Sequence, residues 1–167
     1  TFNICRRYLN NVLVSEVGKI CETMIELYQE DGIVTEPAGA LAVSGLDQIK
    51  RSIVGKDVVC VISGGNNDIT RYPEIIERSL IYQGLRQYYL VEFTQRPGQL
   101  KYFINNILDE NDDICRFEYI KKTNKEFGDV LIGININDPN NIVKIDYELK
   151  KHNFNFIKLN KDDNESS

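Results

Sequence analysis

Between Ser15 and Gly32 apolar side chains return at helical spacing, with Val17, Ile20, Cys21, Met24, Leu27 and Tyr28 falling on one face. The pattern predicts a helix capped by Ser15 and stopped by Gly32, preceded by a short strand at Val12–Val14. "TEPAGALAVSGLDQIKR" predicts a second helix with Pro37 in its first turn, where a missing N–H costs nothing. Ala, Gly and Ser dominate it, so it can pack closely against neighbours. "DVVCVIS", residues 57–63, is apolar almost throughout and predicts a parallel strand covered on both faces. A further helix is predicted over Tyr72–Tyr82. Two strands are too few for a doubly wound sheet, so residues 1–83 are expected to be an incomplete α/β domain whose central strand lacks neighbours in this chain.

The pattern changes at about Gly84. "RQYYLVEFT" predicts a strand, and "RPGQLKYFINNILDEN" a helix opening at Pro97 with Leu100, Phe103, Ile104, Ile107 and Leu108 on one face. "DICRFEYIKKT" and "GDVLIGININ" predict strands joined by a hairpin across "NKEFG". In the second of these strands Val130, Ile132, Ile134 and Ile136 share a face at period two. "DPNNIVKIDYELKKHN" predicts a helix with Asp138 as cap and Pro139 as first residue, and "FNFIKLN" a closing strand. The order β-α-β-β-α-β is the ferredoxin-like split unit, an α+β fold complete within residues 84–160. The polar end, 161–167, has no means of burying surface and is expected to be a disordered tail.

Composition narrows the function classes. The 167 residues carry a formal net charge of −5, which argues against binding nucleic acid through phosphate neutralisation. No apolar run approaches a membrane span and no signal peptide opens the chain, so a cytoplasmic protein without membrane partners is expected. Cys5, Cys21, Cys60 and Cys115 lie far apart, three of them in apolar-periodic segments, and read as buried free thiols in a reducing compartment. With His152 the only histidine, a Cys/His metal cluster or a Ser-His triad is nearly excluded. No metal is expected.

"DVVCVISGGNND" ends a run of β-formers at Ser-Gly-Gly-Asn, where small residues let the backbone approach something closely. An ordinary tight turn after a buried strand accounts for the same residues. "TEPAGALAVSGL" followed by "VVCVISGGNND" resembles the end of the pyridoxal-phosphate domain of the threonine dehydratase (threonine ammonia-lyase) family. "LVEFTQRPGQLKYFINNIL" resembles the opening of that family's C-terminal ACT-like regulatory domain. With one such unit, the chain looks like the short biosynthetic form.

The resemblance implies a fragment of a fold-type II pyridoxal-phosphate domain followed by an ACT-like domain. It implies that Ser63 faces the pyridine nitrogen of the cofactor, with Gly64 and Gly65 against the ring edge and Asn66 tying the turn. Glu36 in "TEPAGA" would lie beside the cofactor, although a carboxylate at a helix start also has a plain electrostatic explanation. Gly39 and Ala40 read as close-packing residues. The family's Schiff-base lysine and glycine-rich phosphate loop have no counterpart here. Since the first residue is Thr1, the expected partner is a missing N-terminal part of the same chain. By itself the fragment is expected to hold no catalytic residue, bind no cofactor and be inactive.

In the regulatory half the first strand–helix junction, Thr94, Gln95, Arg96, Gly98, Gln99 and Leu100, is the expected effector site. Gly98 permits close approach, helix-start N–H groups favour a carboxylate, and Arg96 can add a charge-assisted bond. Pro97-Gly98 also explains itself as a turn. Isoleucine, sometimes opposed by valine, is the effector the family implies, but single-unit forms do not all respond to it and the effector stays open. The ACT-like unit is expected to pair with copies of itself or to pack on the catalytic half. Two rivals share the strand order. An RNA-recognition module would need exposed aromatics on "GDVLIGININ", which carries none. A free-standing branched-chain amino-acid sensor would have no use for the "TEPAGA…VISGGN" half.

Overall fold

The computed structural model describes residues 1–119 and 126–159. Of the hairpin expected across "NKEFG", residues 124 and 125 lie outside the described residues, as does the tail 161–167, while Phe127 and Gly128 already belong to a strand, Phe127–Asn135. The chain divides into two compact units, Thr1–Tyr82 and Gln83–Ser167.

The first unit is helical: α1 (Phe2–Tyr8), α2 (Val17–Asp31), α3 (Pro37–Ser44), α4 (Leu46–Ile49) and α5 (Tyr72–Tyr82), with 3-10 turns at Lys50–Ser52 and Ile69–Arg71. Helix α2 buries Cys21, Met24 and Leu27 in a small core with Ala40 and Ile75 from α3 and α5. The predicted apolar face of α2 is therefore the buried one, although Val17 and Tyr28 at its ends remain exposed. Where α2 meets α5, a side chain at Gly18 would run into Tyr82, which shows how closely these helices approach. Gly32 ends α2 in a left-handed conformation, its N–H donating to the Tyr28 carbonyl and the Ile33 N–H to the Leu27 carbonyl.

Several expectations for this unit need correction. Ser15 does not cap α2; Glu16 occupies that position without a side-chain bond, and Ser15 Oγ instead accepts from Ser44 Oγ at 3.0 Å. The second helix is broken at Gly45 into α3 and α4. Neither predicted strand forms among the described residues: 12–14 and 57–63 belong to no strand or helix. Val12, Val14, Val59 and Val61 are 71%, 84%, 90% and 74% exposed. The reason is physical. A strand exists through its ladder, and this unit supplies no second strand to complete one. Where an α/β domain was expected over residues 1–83, the unit is helical, with exposed apolar stretches that form no strand.

The second unit contains β1 (Arg86–Thr94), α6 (Gln99–Ile107), β2 (Asp113–Tyr119), β3 (Phe127–Asn135), α7 (Asn141–Lys151) and β4 (Phe156–Lys158). The β-α-β-β-α-β order is the predicted one. The four strands form one antiparallel sheet in the order β2-β3-β1-β4. In the β1–β3 register Tyr89 faces Ile132 and Val91 faces Val130, so the two apolar stripes lie on the same side of the sheet. That side is covered by α6 and α7 through Phe103, Ile107, Ile145 and Leu149. Phe93 and Phe154 join this core, with Phe93 and Phe103 ring centroids 5.3 Å apart. On the opposite side Leu90 aligns with Leu131 and Ile157, and Ile157 is 59% exposed.

Boundaries moved for local reasons. Helix α6 starts at Gln99, because Gly98 at φ 87° cannot continue a right-handed helix back to Pro97; Leu100 and Ile104 are on its exposed side. Helix α7 starts at Asn141 with Asn140 as cap, while Asp138 Oδ1 accepts from the Asn140 N–H at 2.9 Å one turn earlier. Asp138 therefore caps the turn leading into the helix and not the helix itself. No helix among the described residues is long and apolar enough to cross a membrane.

Candidate functional site

The Thr35–Gly39 and Ser63–Asn67 segments are brought together in the first unit, 28 residues apart in sequence at their closest bonded pair. The Glu36 N–H donates to the Gly64 carbonyl at 2.7 Å. The Thr35 hydroxyl, on a residue only 2% exposed, donates toward the Ser63 carbonyl at 3.1 Å, with the Glu36 carbonyl a competing acceptor at 3.0 Å. From the other end of the turn, Asn67 Nδ2 donates to the Thr35 carbonyl at 3.2 Å. Gly39 is buried, and a Cβ there would collide with the Ser63 carbonyl oxygen and Thr35 Oγ1. Ala40 is fully buried. Both small residues serve close packing, as expected.

Gly64 adopts a left-handed conformation at φ 71°, and a Cβ at that position would run into the Glu36 carboxyl group. Glu36 is the N-cap of α3, yet its side chain makes no capping bond and lies against Gly64 instead. Glu36 still stands at the start of α3, so its charge faces the helix N-terminus without a capping bond. Ser63, Gly64, Gly65 and Asn66 face outward while Thr35 behind them is sealed. A Cβ on Gly65 would meet only the Val34 carbonyl oxygen, at 3.7 Å, so the outer side of the turn is open. The turn carries the Ser63 hydroxyl and glycine backbone at an exposed position, with the Glu36 carboxylate against Gly64. A hydroxyl can donate to or accept from a ring nitrogen without imposing a charge on it. Thr35 and Asn67 are bonded neighbours of this turn that sequence reasoning missed. Asn67 stood inside the quoted motif, but nothing in a linear pattern names its partner.

The second candidate lies at the β1–α6 junction. Thr94 Oγ1 donates to Gln99 Oε1 at 2.9 Å and closes the turn on itself. Gln95 is tied to the start of β3, its backbone N–H donating to the Glu126 carbonyl at 2.9 Å and its Nε2 to the Phe127 carbonyl at 3.1 Å. Gly98 is the cap of α6 without any side-chain bond to the first-turn amides, and nothing lies within 4 Å of where its Cβ would stand. Arg96 is exposed, and Leu100 is 39% exposed. The six predicted residues thus form one open turn at a helix start. Uncapped amides there can receive a carboxylate, and Arg96 stands two residues from the cap.

Other chemistry is sparse. No group of three or more His, Cys, Asp or Glu side chains among the described residues is placed to hold a metal ion. None of the four cysteines is in a disulfide. Only Cys21 is buried, and burial pushes its thiol pKa up; Cys115 on β2 is exposed, which corrects the expectation of buried thiols. In the second unit the phenol of Tyr89 donates to Asp146 Oδ1 at 2.9 Å, and Lys158 closes on the same carboxylate at 2.6 Å. Burial first, then the charge of Asp146, raises the Tyr89 pKa far above the usual tyrosine range.

Residues 77–167 match the family of the C-terminal regulatory domain of threonine dehydratase. The chain is 48% identical over 162 residues to the biosynthetic L-threonine dehydratase IlvA of Halalkalibacterium halodurans, covering 97% of this chain and 39% of that protein. It is 45% identical over 163 residues to the IlvA of Bacillus subtilis, covering 98% and 39%, and 46% identical over 145 residues to that of a Staphylococcus aureus strain, covering 87% and 34%. The chain spans about two fifths of the length of the curated relatives it matches.

Proposed function

The chain belongs to the threonine dehydratase family, and on that premise we propose that it is the C-terminal part of a pyridoxal-phosphate-dependent threonine ammonia-lyase. The reaction converts threonine to 2-oxobutanoate and ammonia, the entry step of isoleucine biosynthesis, in the cytoplasm. Residues 1–83 are the end of the cofactor domain and 84–160 its ACT-like regulatory domain. The missing N-terminal part supplies the lysine and the phosphate loop, so this chain alone is inactive and holds no cofactor.

The observation that carries the reading is the Ser63–Asn66 turn clamped on Thr35–Gly39, with the Ser63 side open and Glu36 laid against Gly64. When bound, the cofactor supplies the electron sink that lets the substrate Cα–H bond break and the β-hydroxyl leave. In this reading Ser63 gives the ring nitrogen a neutral hydrogen-bond partner. Gly64 and Gly65 keep the ring edge free of side chains, and Asn66 orders the turn. The unpaired apolar stretch 57–62 pairs with strands of the preceding part.

In the regulatory domain Thr94, Gln95, Arg96, Gly98, Gln99 and Leu100 receive an amino-acid effector, its carboxylate at the α6 amides and Arg96 and its side chain toward Leu100. Self-association uses the sheet side bearing Leu90, Leu131 and Ile157. Effector binding regulates only through different affinities for two states of the assembly.

The test begins with the gene upstream of Thr1, which must encode a Ser-x-Lys segment and a glycine-rich phosphate loop. The full-length product must then release 2-oxobutanoate from threonine. In it S63A should keep the cofactor yet lower turnover by roughly tenfold to a hundredfold, as one lost hydrogen bond in a dry pocket costs about 1–3 kcal/mol. Unchanged turnover would remove Ser63 from the site.

A further inference from the structure

The Ser-Gly-Gly-Asn turn is held from behind by hydrogen bonds to Thr35 and Glu36. The segment behind it, Thr35–Gly39, leads into α3. Thr35 is the bonded link between the two that acts on Ser63 itself: its side chain donates toward the Ser63 carbonyl. Its own carbonyl accepts from Asn67 Nδ2, so Thr35 is bonded to both ends of the turn and closes a ring through residues 63–67. Thr35 is 2% exposed, while Ser63 on the other side of the bond is open. A buried, fully engaged residue behind an accessible one is the arrangement that sets a side chain's position without touching what it binds.

We infer that Thr35 is a positioning residue: its hydroxyl, acting through the Ser63 backbone, sets where the Ser63 side chain meets a bound cofactor ring. The inference rests on the proposed Ser63–cofactor contact. Thr35 touches neither the ring nor the substrate. Its hydroxyl holds one proton with two acceptors at 3.1 and 3.0 Å, so serine preserves the function and valine, of nearly the same shape, removes it.

The experiment uses the full-length chain with pyridoxal phosphate bound, comparing T35V, T35S, S63A and T35V/S63A. The readouts are the position of the bound cofactor's visible absorption band, kcat and KM for threonine. T35V should shift the band in the same direction as S63A and lower kcat by roughly twofold to tenfold, the worth of one hydrogen bond, with KM nearly unchanged. T35S should restore both, and T35V should add nothing in the S63A background. If T35V does not fold, N67A opens the same ring from its other bond and must show the same non-additivity. A T35V effect that adds fully to S63A, or a T35S variant as impaired as T35V, overturns the positioning role alone. An S63A band identical to the wild type overturns the cofactor contact and the role of Thr35 with it.

Discussion

Replacing Gly39 by alanine sets two effects against each other. Gly39 lies within α3, and in an open helix interior the change stabilises by about 1 kcal/mol. Here the new methyl group would collide with the Ser63 carbonyl oxygen and Thr35 Oγ1, and would stand 2.8 Å from the Ser63 carbonyl carbon. A backbone carbonyl cannot swing aside as a lysine tip can, so the whole turn must move. The bonds that cross at this point, Glu36 N–H to Gly64 O and Thr35 Oγ1 to Ser63 O, stretch or break at about 0.5–1.5 kcal/mol each. The expected net is a loss of about 1 kcal/mol for the first unit, with the sign opposite to helix propensity. Amide hydrogen exchange on the chain reads it directly, because the Glu36 amide should lose protection while amides in α2 change little. G65A is the control: its Cβ meets one oxygen at 3.7 Å, an ordinary contact, and the effect should stay within about 0.5 kcal/mol. G39A stabilising by the full propensity gain, with Glu36 still protected, would refute the close packing of the two segments.

In the second unit, Y89F should remove part of the alkaline sensitivity of folding. Tyr89 has its pKa raised in the folded state, so above about pH 10 the unfolded chain releases a proton that the folded one keeps, and stability falls with rising pH by about 1.4 kcal/mol per unit. Denaturant titrations at pH 9 to 11 should show a shallower decline for Y89F than for the wild type; parallel curves would contradict the buried phenol. L149A, at a fully buried position of the sheet–helix core, should cost about 2–5 kcal/mol in urea unfolding, and a loss below 1 kcal/mol would place α7 elsewhere.

Patterning made the second unit legible because its signals are local. Val130, Ile132, Ile134 and Ile136 alternate along one strand, and all four are buried. Arg86–Thr94 and Tyr72–Tyr82 form the elements expected of them, end to end. Failures arose where the deciding interaction lay outside the pattern being read. "DVVCVIS" carries every mark of a buried strand, but a strand needs partners and the apolar pattern does not supply them. Pro97 signalled a helix start, yet the left-handed Gly98 behind it delayed the first turn by two residues. Asp138 was recognised as a cap, but its oxygen serves the turn before α7. The Ser-Gly-Gly-Asn motif was visible as a place of close approach. That it closes on Thr35 was not, because a hydrogen bond across 28 residues leaves no periodic trace.

The most direct test of the proposed regulatory role is calorimetric titration of isoleucine, valine and leucine into the 167-residue chain while light scattering follows its mass. The account predicts saturable heat from at least one of the three. It also predicts that R96A weakens this binding by roughly tenfold through loss of a charge-assisted bond, and that the protein has a mass above that of one chain. A strictly monomeric protein that binds none of the three would contradict the account and leave the β1–α6 junction a plain turn.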